Sequence, residues 1–140
     1  MAFRPDRLGA SPPSPPGEID YRLARQLVIK QFRSGRLSRH EVCDAHPELA
    51  RAARNVGKES SEECPICQEA KLVLVSYVFG PGMPPSGRCV TTRKELLRLA
   101  SGSSELSCHV VEVCPACSWN HLTRTVVLSQ ARSRPSVPFG

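Results

Sequence analysis

Glu63–Ala70 reads ECPICQEA and Val113–Asn120 reads VCPACSWN. Each stretch holds two cysteines three positions apart with a proline between them. A CxxC pair is the half-site of a zinc knuckle, a tight turn that aims two sulfurs at one ion, and two knuckles complete a tetrahedral shell of four thiolates. The same pair is also the reactive dithiol of thioredoxin-like proteins, but there it opens a helix within a βαβ unit. Here QEAKLVLV follows the first pair and SWNHLTRTVV the second, and both lead into strand-like sequence. The flanks therefore favour one metal site with Cys64, Cys67, Cys114 and Cys117 as ligands over two redox centres or two turns of buried cysteine. Four thiolates fill the shell and leave no place for an activated water, so the expected cofactor is one structural Zn2+.

Outward from the knuckles the chain reads as a small sheet. Leu72–Phe79, LVLVSYVF, is apolar on both faces, as a strand covered on both sides would be. Leu106–Val113 and Leu122–Leu128 read as two more strands flanking the second knuckle, and Arg88–Thr92 as a short one after the GPGMPPSG loop. The 46 residues between Cys67 and Cys114 exceed what a minimal ribbon needs. They also hold a helix, TRKELLRLA, with Leu96, Leu97 and Ala100 facing inward and Thr91 or Thr92 as its cap.

The first half reads as helices. Ile19–Phe32 carries Ile19, Leu23, Leu27, Val28 and Phe32 on one stripe, and Gly35 is placed to end the helix. Ser38–Glu41 is a capping box opening a short helix through Val42 and Cys43. Pro47 starts a third helix whose inward stripe is Leu49, Ala52, Ala53 and Val56, with Gly57 just past its end. ESSEE, Glu59–Glu63, reads as an acidic joint. The expected fold class is α+β: an N-terminal three-helix unit over residues 18–58, then a zinc-ribbon β domain over 59–129 with one inserted helix. The Pro-rich segment 1–17 and the segment 130–140 are expected to be disordered tails.

The chain of 140 residues carries a formal charge of +6, and only 5% of it is aromatic. Met1–Lys58 has 11 Lys and Arg against 6 Asp and Glu, whereas Glu59–Gly140 has 8 against 7. The positive excess thus belongs to the helical half, which points to an anionic partner. The first residues lack the apolar core of a signal peptide and no run is long enough to span a membrane, so a cytoplasmic location is expected. There thiols stay reduced, which again favours metal ligation over disulfides.

RSGRLSRHEVCDAHPELARAARNVG, CPIC, LVLVSYVFG and CPACSWNHL together resemble a small, uncharacterised family of actinobacterial proteins that carries a domain of unknown function. The resemblance spans most of Tyr21–Leu128. It implies a cytosolic protein with a single zinc ribbon and no assigned activity.

No Ser/His/Asp, P-loop, HExxH or paired-carboxylate signature is present, so no enzymatic activity and no small-molecule substrate are expected. The leading expectation is a non-catalytic zinc-ribbon binding module that contacts nucleic acid or a nucleoprotein machine through its basic helical face. Arg22, Arg25, Arg33, Arg36, Arg39, Arg51 and Arg54 would meet phosphates, and Trp119 would either cover the metal site or stack on a base or partner side chain. The two short helices before and after Pro47 imitate a helix-turn-helix, with Arg51, Arg54 and Asn55 toward a groove. The alternative is an adaptor on RNA polymerase or the ribosome, holding no nucleic acid itself. Of the remaining cysteines, Cys43 is expected as a small apolar core residue rather than a ligand with His40 and His46. Cys89 and Cys108 are expected side by side in the sheet, with His109 adjoining Cys108.

Overall fold

The computed structural model describes residues 17–102 and 105–128. The expected disordered segments, 1–17 and 130–140, lie outside the described residues except for Gly17. The elements in chain order are β1 (Glu18–Asp20), α1 (Arg22–Arg33), α2 (Arg39–Val42), α3 (Pro47–Val56), β2 (Lys58–Glu63), β3 (Lys71–Phe79), β4 (Arg88–Val90), α4 (Arg93–Ala100), β5 (Leu106–Val113) and β6 (Asn120–Leu128). One antiparallel sheet has the order β1-β6-β5-β3-β2, with β4 pairing the far half of β3. Among the described residues no helix is long and apolar enough to cross a membrane.

The expected three-helix unit is not formed. The helices appear close to where the sequence put them, but they pack on the sheet and share no core of their own. The reason lies in β3. Leu72, Val73, Val75, Ser76 and Val78 are all buried, so this strand needs cover on both faces. Alternation along a strand sends Val73, Val75 and Tyr77 to one side and Leu72, Ser76 and Val78 to the other. Helix α3 covers the first side with Leu49, Ala52 and Ala53. The other side is covered by α4, through Leu96 and Ala100 against Val78, Cys108 and Val126, and by α1, through Ile29 against Leu72 and Trp119. Helices packed on one another would have left both sheet faces bare. Burying a side chain such as Ile29 contributes roughly 1.5–3 kcal/mol, which mutual helix packing would have to match.

Two local expectations shift with this. Ile19 sits in β1, opposite Thr125, and is 46% exposed; Leu27 is 57% exposed. The buried stripe of α1 instead runs through Arg25 and Ile29, one helical turn apart. The acidic ESSEE segment is not a joint but most of β2, an edge strand whose charged side chains discourage pairing with another chain. The caps follow the sequence closely. Ser38 and Glu41 form the reciprocal capping box, Thr92 accepts from the Glu95 amide, and Gly35 adopts φ +84° just past α1.

Arg25 is buried for a reason. Glu112 belongs to the inward row Leu106, Cys108, Val110 and Glu112 of β5, and its side chain is only 6% exposed. Arg25 Nε donates to Glu112 Oε2 at 2.7 Å, and Trp119 Nε1 donates to the same oxygen at 2.7 Å. Arg25 also lies 3.6 Å from the Glu62 carboxylate on β2. No described buried side-chain nitrogen or oxygen lacks a hydrogen-bond partner. The arrangement ties α1, β5 and the turn that follows β5 together through one carboxylate. Removing it leaves the Trp119 N–H without its acceptor and a largely buried guanidinium with only the exposed Glu62 carboxylate, so Glu112→Ala is expected to lower unfolding free energy by about 3 kcal/mol in urea titrations. The double variant Arg25→Met with Glu112→Leu should recover most of that loss; a single variant as stable as the parent would contradict the role given to the pair.

Candidate metal centre

The sheet order brings the knuckles together. Residues 64–70 make the turn between β2 and β3, and residues 114–119 the turn between β5 and β6. β3 and β5 are antiparallel neighbours, with Val73 opposite Val113. The start of one strand therefore lies beside the end of the other, and both turns fall at the same end of the sheet.

Each turn is built the same way. The Gln68 amide donates to the Cys64 carbonyl at 3.1 Å, and the Ser118 amide to the Cys114 carbonyl at 3.0 Å. Cys64 N–H donates to Ala70 O and Cys114 N–H to Trp119 O, both at 2.8 Å, closing the turn. The Ile66 and Cys117 amides each point at the first sulfur of their knuckle, at 3.4 Å. Such donors stabilise negative charge on sulfur. The residue after each second cysteine, Gln68 at φ 58° and Ser118 at φ 73°, is left-handed without being glycine.

The four sulfurs of Cys64, Cys67, Cys114 and Cys117 lie within 4.8 Å of one another. Cys64 and Cys117 are 3.7 Å apart, and Cys67 and Cys114 3.6 Å. A tetrahedral ion with sulfurs at ~2.3 Å sets them about 3.8 Å apart, so this donor set fits one metal ion. Without a cation, burial pushes the Cys114 and Cys117 thiols up. For Cys67 burial also pushes upward, but hydrogen bonds from the Glu69 amide and the neighbouring sulfurs together outweigh it, and its pKa falls. Four packed thiols cannot all ionise alone; a divalent cation is what makes four thiolates compatible.

The surroundings hold this site tightly. Cys64 and Cys114 are 1% exposed and share a cluster with Ile29, Val42, Leu72 and Trp119. Trp119 is itself 1% exposed, stacks near the His121 ring and spends its N–H on Glu112. It covers the site from within and is not presented to a partner. A solitary Glu in an inward strand register, as in LSCHVVEVC, was the sequence signal for its partner Glu112.

Cys43 is half-buried in the same cluster, and its thiol donates to Cys117 Sγ at 3.5 Å. It is thus more than the apolar filler expected of it, though it stands outside the mutual set of four. His40 and His46 do not join it as ligands among the described residues. His46 instead uses Nδ1 to accept the Glu48 amide and cap α3. Cys89 and Cys108 do not pair in the sheet. They lie on strands either side of β3 and on opposite faces, Cys108 against Val78 and α4, Cys89 against the α3 side. Burial pushes the Cys108 thiol up to about 11. Cys89, Tyr77 and His109 line a cleft of about 580 Å³ beside α3.

The arginines divide. Arg25 is internal. Arg22 pairs with Asp20 and Arg51 with Glu48, at the surface. Arg33, Arg36, Arg39 and Arg54 are exposed and have no ion pair with a described residue. The first three follow one another from the end of α1 to the start of α2. Among the described residues there is no helix-turn-helix, because α2 packs with the knuckles and α3 against the opposite sheet face.

The left-handed knuckle positions give a local test. Ser118→Val places a β-branched residue at positive φ and is expected to cost about 1–2 kcal/mol in chemical denaturation. Ser118→Gly should be neutral or mildly stabilising; equal stability of both variants would contradict this backbone geometry.

The chain matches the model of a family of unknown function, DUF5318, over residues 16–137, and it belongs to that family. It is 48% identical over 118 residues to an uncharacterized protein of Mycobacterium tuberculosis and to one of Mycobacterium bovis, covering 84% of this chain and 86% of each relative. The expected kinship with an uncharacterised actinobacterial family therefore holds. No solved structure matches the chain.

Proposed function

We propose, on the premise of DUF5318 membership, that this chain is a non-catalytic module held in shape by one structural Zn2+ and presenting a basic corner to an anionic partner. The metal reading is carried by the four sulfurs within 4.8 Å of one another at the shared end of two hairpins. Zinc suits four thiolates in tetrahedral array, and the set leaves no open position for a reacting water. Its contribution is to folding, because the unfolded chain lacks the site. Purified protein should contain one zinc per chain by elemental analysis and be colourless, where iron in the same shell would absorb visible light. Cys114→Ser is expected to lose the metal and unfold cooperatively near room temperature. Full zinc content with parental stability in that variant would overturn the assignment.

The partner reading rests on Arg33, Arg36 and Arg39, three exposed guanidinium groups around the α1–α2 corner that make no ion pair with a described residue. Charges left unpaired in this way are suited to phosphate contact, and nucleic acid is the proposed partner, bound without base readout. Three phosphates neutralised would give a log–log salt slope of about −3 on duplex DNA. Fluorescence anisotropy with short duplex and single-stranded oligonucleotides between ~50 and ~200 mM salt would measure it. Arg33→Ala, Arg36→Ala and Arg39→Ala combined should flatten that slope and weaken binding at least tenfold, on the order of 1.4 kcal/mol. No binding at low salt would leave the alternative, an adaptor docking on the transcription or translation machinery through protein contacts.

A further inference from the structure

The metal centre has a fifth thiol. Cys43 follows α2, and its sulfur stands 3.5 Å from that of Cys117, nearer than Cys64 is to Cys117 at 3.7 Å or Cys67 to Cys114 at 3.6 Å. The approach is fixed from both sides. The Ala45 amide donates to the Ser118 carbonyl at 3.1 Å, and Asn120 Nδ2 donates to Asp44 Oδ1 at 3.0 Å. The segment carrying Cys43 is thereby fastened to the knuckle carrying Cys117. The two sulfurs also share an opening. A recess of about 290 Å³ is lined by Arg39, His40, Cys43 and Cys117. Cys64 and Cys114, by contrast, are sealed in the core. Two half-exposed thiols in contact at one opening are within reach of a small oxidant and of each other.

We infer that Cys43 and Cys117 form an oxidation site for hydroperoxides, in which Cys43 resolves oxidised Cys117 to a disulfide and so opens the metal centre. The inference rests on the zinc reading above. The Cys117 thiolate attacks the terminal oxygen of the hydroperoxide. An S–O bond forms, the O–O bond breaks, and the departing alkoxide, or hydroxide from hydrogen peroxide, takes a proton from water. The Cys43 sulfur then attacks the sulfenic sulfur, and the hydroxide released combines with the Cys43 proton as water. Two sulfurs have given up two electrons, and the hydroperoxide has been reduced to an alcohol and water. Bond formation brings the sulfurs from 3.5 Å to a disulfide length of ~2.05 Å, a small movement of one turn against the other. Cys117 no longer holds a full thiolate, three ligands remain, and the ion is released.

The full zinc-loaded chain is treated with hydrogen peroxide while zinc release is followed with a chromogenic chelator. Disulfides are mapped by mass spectrometry after alkylation and digestion. The expected result is zinc release in step with a Cys43–Cys117 disulfide, reversed by dithiothreitol and added zinc. Cys43→Ser should start with the same zinc content and release it at least about tenfold more slowly. A disulfide within one knuckle, Cys64–Cys67 or Cys114–Cys117, overturns the inference, as does release from Cys43→Ser at the parental rate. If Cys43→Ser fails to fold, the disulfide map of the parent decides. Protein isolated without metal overturns the zinc reading instead, and the disulfide formed in the metal-free chain then judges the Cys43–Cys117 pairing by itself.

Discussion

Four sulfurs converging on one point is the constraint from which the rest of this structure follows. Two turns can share an ion only if the strands behind them are neighbours in the right register. Here that is met by β3 and β5, antiparallel with Val73 opposite Val113. A slip of one residue would reverse the faces of β5 and carry Glu112 away from Arg25. Sheet register and metal geometry therefore specify each other. The insertion between the knuckles takes its place inside this frame. β4 lies along the free part of β3, and α4 crosses the sheet to deliver β5 on the other side of that strand.

Glu112 links the frame to the helices. A carboxylate in an apolar interior costs several kcal/mol unless it is paired and hydrogen-bonded, and this one has two donors on a single oxygen. One donor comes from α1 and the other from the residue that closes the second knuckle. The docking of α1 and the seating of Trp119 are thus one event, and Ile29 and Phe32 complete it with apolar contact on the metal side. The recess beside Cys117 opens to solvent at this end, next to Arg39.

Much of this was legible in the sequence, and the exceptions have common causes. The knuckles were readable because CxxC spacing is a local rule that the fold must obey. The caps at Ser38, Thr92 and Pro47 were readable for the same reason. Strand β3 announced two-sided burial in its unbroken apolar run, and that run already contradicted a free-standing helical unit, since the sheet needed those helices. What the sequence hid was long-range pairing of charge. Arg25 was grouped with the surface arginines because its partner lies 87 positions away on β5. Leu27 seemed inward and Ile29 did not stand out, because the true stripe includes an arginine that hydrophobic periodicity discards. Nothing in the local spacing relates Cys43 to Cys117, 74 positions away. β2 was unreadable as a strand: six polar residues form one only because β3 offers an edge.

The pairing of the first strand with the last has a consequence for synthesis. Glu18 meets Val126, roughly a hundred residues later, and the fourth ligand, Cys117, also comes late. On a ribosome adding ~5–20 residues per second, β1 and α1 wait roughly 5–20 s for the surfaces they bury against. During that interval the first knuckle can hold an ion by only two sulfurs, and the apolar side of α1 has no sheet to meet. Assembly therefore waits on residues made late: β1 has no partner before β6 is synthesised, and β6 both completes the described sheet and follows the fourth of the clustered cysteines. During synthesis β3, an unbroken apolar run buried on both faces in the folded chain, must be kept apart from its like until that moment.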